Sequence, residues 1–145
     1  MFRSLSEHPA IEAAAVEELA RVLPAGVDAS QSLDEAALKE LRYLEAVFLE
    51  TTRIYSPVAG DMKRAVADCT FPDGTHVKAG TMVAYSIYAL NRLSTEYWGA
   101  KDIEQFKPER WIDERGSIKV PSAFVFPSFN AGPRSVPSLA TAETK

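Results

Sequence analysis

Glu50 and Arg53 stand three residues apart in the run Glu50-Thr51-Thr52-Arg53. On a helix, that spacing sets a carboxylate and a guanidinium on one face. In the plain case the two form an exposed ion pair contributing ~0–1 kcal/mol. Tyr43, Ala46, Val47 and Ile54 share the stripe, however, and they point to burial. A buried pair needs further hydrogen bonds, because its desolvation otherwise outweighs the attraction. Little else in the chain could do chemistry. Cys69 is the one cysteine, so no internal disulfide framework is available. The bland reading of Cys69 is a buried or idle thiol in a strand. His8 precedes Pro9 at a helix start and His76 follows a turn, and neither has metal-ligand spacing. There is no phosphate-binding glycine loop, and two histidines so placed assemble no Ser-His-Asp arrangement. No catalytic residue and no metal ligand are assigned.

Four motifs add to this. Residues 126–136 read F-P-S-F-N-A-G-P-R-S-V. The run Phe129-x-x-Gly132-x-Arg134-x-Val136 resembles the haem-binding loop of the cytochrome P-450 family, the haem-thiolate monooxygenases, whose pattern is F-x-x-G-x-R-x-C-x-G. Val136 stands at the Cys position and Ser138 at the last Gly. Glu50-Thr51-Thr52-Arg53 is similar to the E-x-x-R of that family's core helix, and Pro108-Glu109-Arg110-Trp111 to its P-E-R-[FW] segment. Leu5-Ser6-Glu7-His8-Pro9 resembles the helix before the E-x-x-R helix. The motifs keep the family's order, and the resemblance covers almost the whole chain. Phe71-Pro72-Asp73-Gly74-Thr75, Tyr85-Ser86-Ile87-Tyr88-Ala89 and Tyr97-Trp98-Gly99 look like the branch that hydroxylates fatty acids near the chain end.

The resemblance implies roles for individual residues. Arg110 would join Glu50 and Arg53 in a structural triad that locks the scaffold behind the haem without reacting. Arg134 would bind one haem propionate and Arg64 a second, since a guanidinium offers paired donors to a carboxylate. Phe129 would give apolar cover. Gly132 would allow close approach to a flat macrocycle. Val58 and Ala59, in the loop Ser56-Pro57-Val58-Ala59-Gly60, would line an apolar substrate pocket, although the same residues also suit a plain helix-to-strand connector. In the family a Cys thiolate ligates the iron and favours O–O cleavage. Val136 has no lone pair to donate, and residues 135–145 contain no Cys, His, Met or Tyr. Haem, the family's cofactor, is therefore expected not to be stably bound by this chain, and monooxygenase turnover is not expected.

Further expectations follow from the same resemblance. The chain is expected to begin beyond the oxygen-activating helix, without its acid/alcohol pair. Residues 140–145 look like the start of the next helix, which makes the stretch from Arg134 to Ala140 two residues short of the family spacing. The family's partners are an apolar small-molecule substrate and an electron-donating reductase. The rival readings are a non-catalytic fragment docking on a relative or a reductase, and an active enzyme whose reading frame differs at both ends. Relatives are often anchored to the endoplasmic reticulum membrane. Here Met1-Phe2-Arg3 leads into a polar segment, and no apolar run approaches the ~20 residues that span a bilayer. The expectation is a chain with no anchor or signal, left in the cytoplasm.

The elements that must position these residues read as one domain. The chain has 145 residues, 46% apolar and 25% charged, with net charge -4, so no basic footprint for nucleic acid is present. The fold class is mainly α with a small antiparallel β-sheet, by resemblance the C-terminal part of the cytochrome P-450 fold and incomplete. A helix is expected over 9–22, with Ile11, Ala15, Leu19 and Val22 on one face and Pro24 and Gly26 ending it. Ser32 and Glu35 have capping-box spacing before a helical stretch over 33–54, broken near Glu40. Its second half, Leu41 to Leu49, reads as apolar nearly all round, and Pro57 stops it. The sheet is expected over 64–89: Arg64 to Phe71, a turn at Pro72-Asp73-Gly74, a return at His76-Val77, a turn at Lys78-Ala79-Gly80, then Thr81 to Ala89. Leu93 to Trp98 reads as a short helix and 99–139 as irregular, punctuated by Pro108, Pro121 and Pro127. Apolar surface without a partner predicts poor solubility.

Overall fold

The computed structural model describes residues 1–23, 34–93, 95–99 and 101–130, with only the backbone at 95 and 96. Helix α1 spans Phe2–Glu7 and α2 spans Pro9–Val22. His8 separates them, with Nδ1 2.8 Å from Ser4 O. Pro9 opens α2, where its missing N–H leaves nothing unpaired. Pro24, Gly26 and Ser32 lie outside the described residues. Helix α3 spans Glu35–Glu40 and α4 spans Arg42–Ile54. The observed cap of α3 is Asp34, whose carboxylate accepts from Ala37 N at 2.8 Å. Between α3 and α4 the helix is interrupted at buried Leu41, at φ -81 and ψ 57.

Leu41 offers no side-chain acceptor to the first turn of α4. The acceptor comes from α2. Glu18, only 6% exposed, receives Tyr43 N–H at 2.8 Å on one oxygen and Leu44 N–H at 2.8 Å on the other. A carboxylate there also meets the positive end of the helix dipole. Helix α4 is amphipathic rather than apolar all round. Ala46, Val47, Leu49, Glu50 and residues 52–54 are buried, while Arg42 and Phe48 face outward.

The single sheet expected over 64–89 is two nested two-stranded ladders. The outer one pairs β1 (Asp61–Arg64) with β4 (Met82–Tyr85), and the inner one pairs β2 (Cys69–Thr70) with β3 (His76–Val77), both antiparallel. The tip is an Asx turn, with Thr75 N–H on Asp73 Oδ1 at 2.9 Å and Gly74 at φ +87. The last strand stops at Tyr85 instead of reaching Ala89. Ser86 Oγ accepts from Ala89 N–H at 3.1 Å and starts helix α5 (Ile87–Leu93). Capping chemistry outweighs the strand preference of Ile87 and Tyr88. Cys69 is exposed, not buried.

Helix α6 spans Thr95–Trp98. The region expected to be irregular holds two 3-10 turns, Pro108–Trp111 and Pro127–Phe129, and a bridge between Ile112 and Ile118. The core joins α4 to these turns: Ala46, Leu49, Trp98, Trp111 and Phe126. Ring centroids lie 5.1 Å apart for Trp98–Trp111 and 4.9 Å for Trp111–Phe126. Tilted and edge-on contacts of this kind suit the aromatic quadrupole. The architecture is mainly helical with small antiparallel strands, as the fold class anticipates.

Candidate functional site

Glu50 is the centre of the buried polar structure. Helix α4 brings Arg53 beside it, with Nε 2.8 Å from one carboxylate oxygen and Nη2 2.9 Å from the other. The Pro108–Trp111 turn supplies Arg110 Nε at 3.0 Å and the Trp111 indole N–H at 2.9 Å. The backbone N–H of Lys107 adds a bond at 3.0 Å. Glu50 and Arg53 are both 0% exposed. The exposed-ion-pair alternative therefore does not hold: packing against Trp98 and Trp111 removes water from this stripe. Arg53 also donates to Asn91 O at 3.1 Å. Arg110 donates to Trp98 O at 2.6 Å and to Asp102 O at 2.8 Å. Glu50 and its two guanidinium partners thus tie α4 to α5, α6 and the 3-10 turn.

Burial alone would push the Glu50 carboxyl up. The hydrogen bonds and charge of Arg53, with those from Lys107 N–H and Trp111, more than offset it and hold the group below its ordinary value of 4.5. The carboxylate stays ionised, saturated with donors and closed to solvent. Five donors share its two oxygens. Nearby, the Tyr43 hydroxyl donates to Glu109 at 2.8 Å. Burial first, and then Glu109, push the Tyr43 pKa well above its usual 10.0.

The other residues singled out in the sequence sit apart from this hub. Arg64 ends β1 and is exposed, with Nη1 2.8 Å from Gly80 O. Val58 and Ala59 are exposed in the connector from α4 to β1, where Ala59 O accepts from Tyr88 N–H at 3.0 Å. Phe129 is half-buried and edge-on to Phe126, ring centroids 6.1 Å apart. Gly132, Arg134, Val136, Ser138 and residues 140–145 lie outside the described residues. Three participants escaped the sequence reading: Lys107 N–H, the Trp111 indole and the Glu18 carboxylate. Trp111 could have been found, because a buried indole needs an acceptor. A backbone N–H and a cap borrowed from another helix leave no local signature.

Comparison with known proteins gives the family. The family model described as Cytochrome P450 matches residues 1–135. The chain belongs to the cytochrome P450 family. Cytochrome P450 94C1 of Arabidopsis thaliana is 40% identical over 134 residues, covering 92% of this chain and 26% of that protein. Cytochrome P450 94B3 of the same plant is 39% identical over 139 residues, again 92% of this chain and 26% of its own length. Cytochrome P450 CYP94D109 of Paris polyphylla is 47% identical over 97 residues, 67% of this chain and 19% of its own. The chain thus spans about a quarter or less of the length of these P450 relatives.

The family implies haem, and the donor set can be tested against it. Arg64 presents an exposed guanidinium with one N–H committed to Gly80 O, and Phe129 presents an apolar ring. Those parts suit propionate binding and apolar cover. The axial ligand does not fit. Val136, which the motif places at the axial Cys position, carries a hydrocarbon side chain with no lone pair for iron. Cys69 is exposed on β2, within the inner ladder. Among the described residues, no group of three or more His, Cys, Asp or Glu is placed to hold a metal ion. Among them, too, no helix is long and apolar enough to cross a membrane.

Proposed function

We propose that this chain carries the scaffold of a P450 haem monooxygenase but is itself catalytically silent. The parent reaction is hydroxylation of an apolar substrate, with a fatty acid as its class, using electrons from a reductase. Family membership supports the parent reaction, and the runs at 71–75, 85–89 and 97–99 support the fatty-acid class. In this reading Glu50, Arg53 and Arg110 lock the scaffold, Arg64 and Arg134 face propionates, Phe129 and Gly132 shape the loop, and Val58 and Ala59 face substrate. The observation that carries the silence is chemical: Val136, at the position of the axial Cys, is a hydrocarbon. Without a thiolate there is neither an iron–sulfur bond nor the electronic push that favours O–O cleavage.

The test is hydroxylation of a fatty acid by the full chain supplied with haemin and a reductase. No product is expected, and turnover above the haemin-only background would overturn the reading. A second reading, a fragment that docks on an intact relative or a reductase, is favoured by the exposed apolar residues Phe2, Val66 and Phe124, at 81%, 98% and 79% exposure. Co-purification with purified reductase, lost when these residues are made serine, would support it.

A further inference from the structure

Asn130 follows the Pro127–Phe129 turn and has φ 66 and ψ 175. Among the described residues it is the one non-glycine with positive φ. That region of backbone space is occupied essentially by glycine, and other residues persist there only when their surroundings hold them. The surroundings here are specific. Asn130 Nδ2 lies 3.3 Å from Asp61 Oδ2, and Asn130 Oδ1 lies 3.2 Å from the Tyr85 hydroxyl. The amide orientation follows from donor chemistry. An ionised carboxylate only accepts, so the atom facing Asp61 must be the NH2 group. Tyr85 has a second acceptor in reach, Asp61 Oδ2 at 3.1 Å. With one proton to donate, it serves one acceptor at a time and closes a three-residue ring.

The ring is built on a rigid base. Asp61 and Tyr85 are register partners at one end of the β1–β4 ladder. Lys63 Nζ, at 2.6 Å, and Met62 N–H, at 2.7 Å, also bind the Asp61 carboxylate. The Lys63 bond first, then those from Met62 N–H and Tyr85, bring the Asp61 pKa down to about 2, so the carboxylate is ionised at neutral pH. Gly60 fits the same place. A Cβ there would lie 2.9 Å from Tyr85 O, so the chain enters β1 against the Tyr85 backbone.

We propose that Asp61 and Tyr85 are positioning residues for the turn that ends at Asn130, holding Asn130 in a glycine-type conformation. The link of that turn to a cofactor loop rests on the proposed function; the clamp itself does not. The test is nuclear magnetic resonance of the full chain without cofactor. Tyr85→Phe and Asp61→Ala should each shift the Asn130 backbone amide and speed exchange of its side-chain NH2 about tenfold, while the Arg53 and Trp111 signals stay in place. In the Asp61→Ala background, Asn130→Gly should return the Phe129 amide to its wild-type position, because glycine adopts this φ unaided. Asn130→Ala should not. Unchanged Asn130 signals in Tyr85→Phe, which removes one hydroxyl only, would overturn the clamp. So would equal behaviour of the Gly and Ala variants. Turnover by the wild-type chain would instead sink the silent-scaffold reading and leave these results untouched.

Discussion

Glu50→Ala would leave two guanidiniums, an indole N–H and a backbone N–H facing a void. Removing one partner of a buried pair costs ~3–5 kcal/mol, a large part of the stability of a chain this size. The variant should lose its cooperative urea transition or shift the midpoint sharply; a melting temperature equal to wild type would contradict the hub. The sign with pH is fixed by the lowered Glu50 pKa. Stability from this group is fully present above 4.5 and is lost as pH falls through its lower folded value. Urea midpoints should therefore drop on acidification below that range in wild type and drop less in Glu50→Gln. At this scale much was legible in the sequence. The E-x-x-R spacing put Glu50 and Arg53 on one face, and the P-E-R-W order named Arg110. The Lys107 N–H was not legible, because a backbone donor has no residue-type signature.

Helix α4 presents Glu50 and Arg53, and its first turn is capped by Glu18 from α2. Loss of an N-cap acceptor costs ~1–2 kcal/mol. Glu18→Ala should lower stability by about that amount, and Glu18→Gln, which keeps one acceptor, by less. Arg21→Ala is the control, since Arg21 reaches Glu18 only at 4.0 Å. Equal midpoints for Glu18→Ala and wild type would remove the capping role. This contact explains why element boundaries were harder to read than elements. Pro9 at the start of α2 is a local signal. The start of α4 depends on a carboxylate from another helix, and the end of β4 on Ser86 capping α5. Strand propensity at Ile87 and Tyr88 carried no trace of that competition.

At the level of the whole molecule, the aromatic core and the Glu50 hub coexist with several exposed large hydrophobic side chains among the described residues. Phe2, Leu93 and Phe124 are 81%, 71% and 79% exposed, and Val66 is 98% exposed. Scattered exposed hydrophobics are ordinary, but large side chains bared this fully favour association. Light scattering should show concentration-dependent self-association, reduced when Phe2, Val66 and Phe124 are changed to Ser; a monodisperse monomer at all concentrations would contradict it. The family and fold class were legible from four motifs in order. The proposed silence rests on a single letter of the sequence, Val136. The measurement that tests the central claim most directly is the reduced carbon monoxide difference spectrum of the haemin-supplied full chain. The account predicts no thiolate-type Soret band from the wild-type chain. Such a band would show that a cysteine thiolate reaches iron, and would contradict the claim that this P450 scaffold has lost its axial ligand.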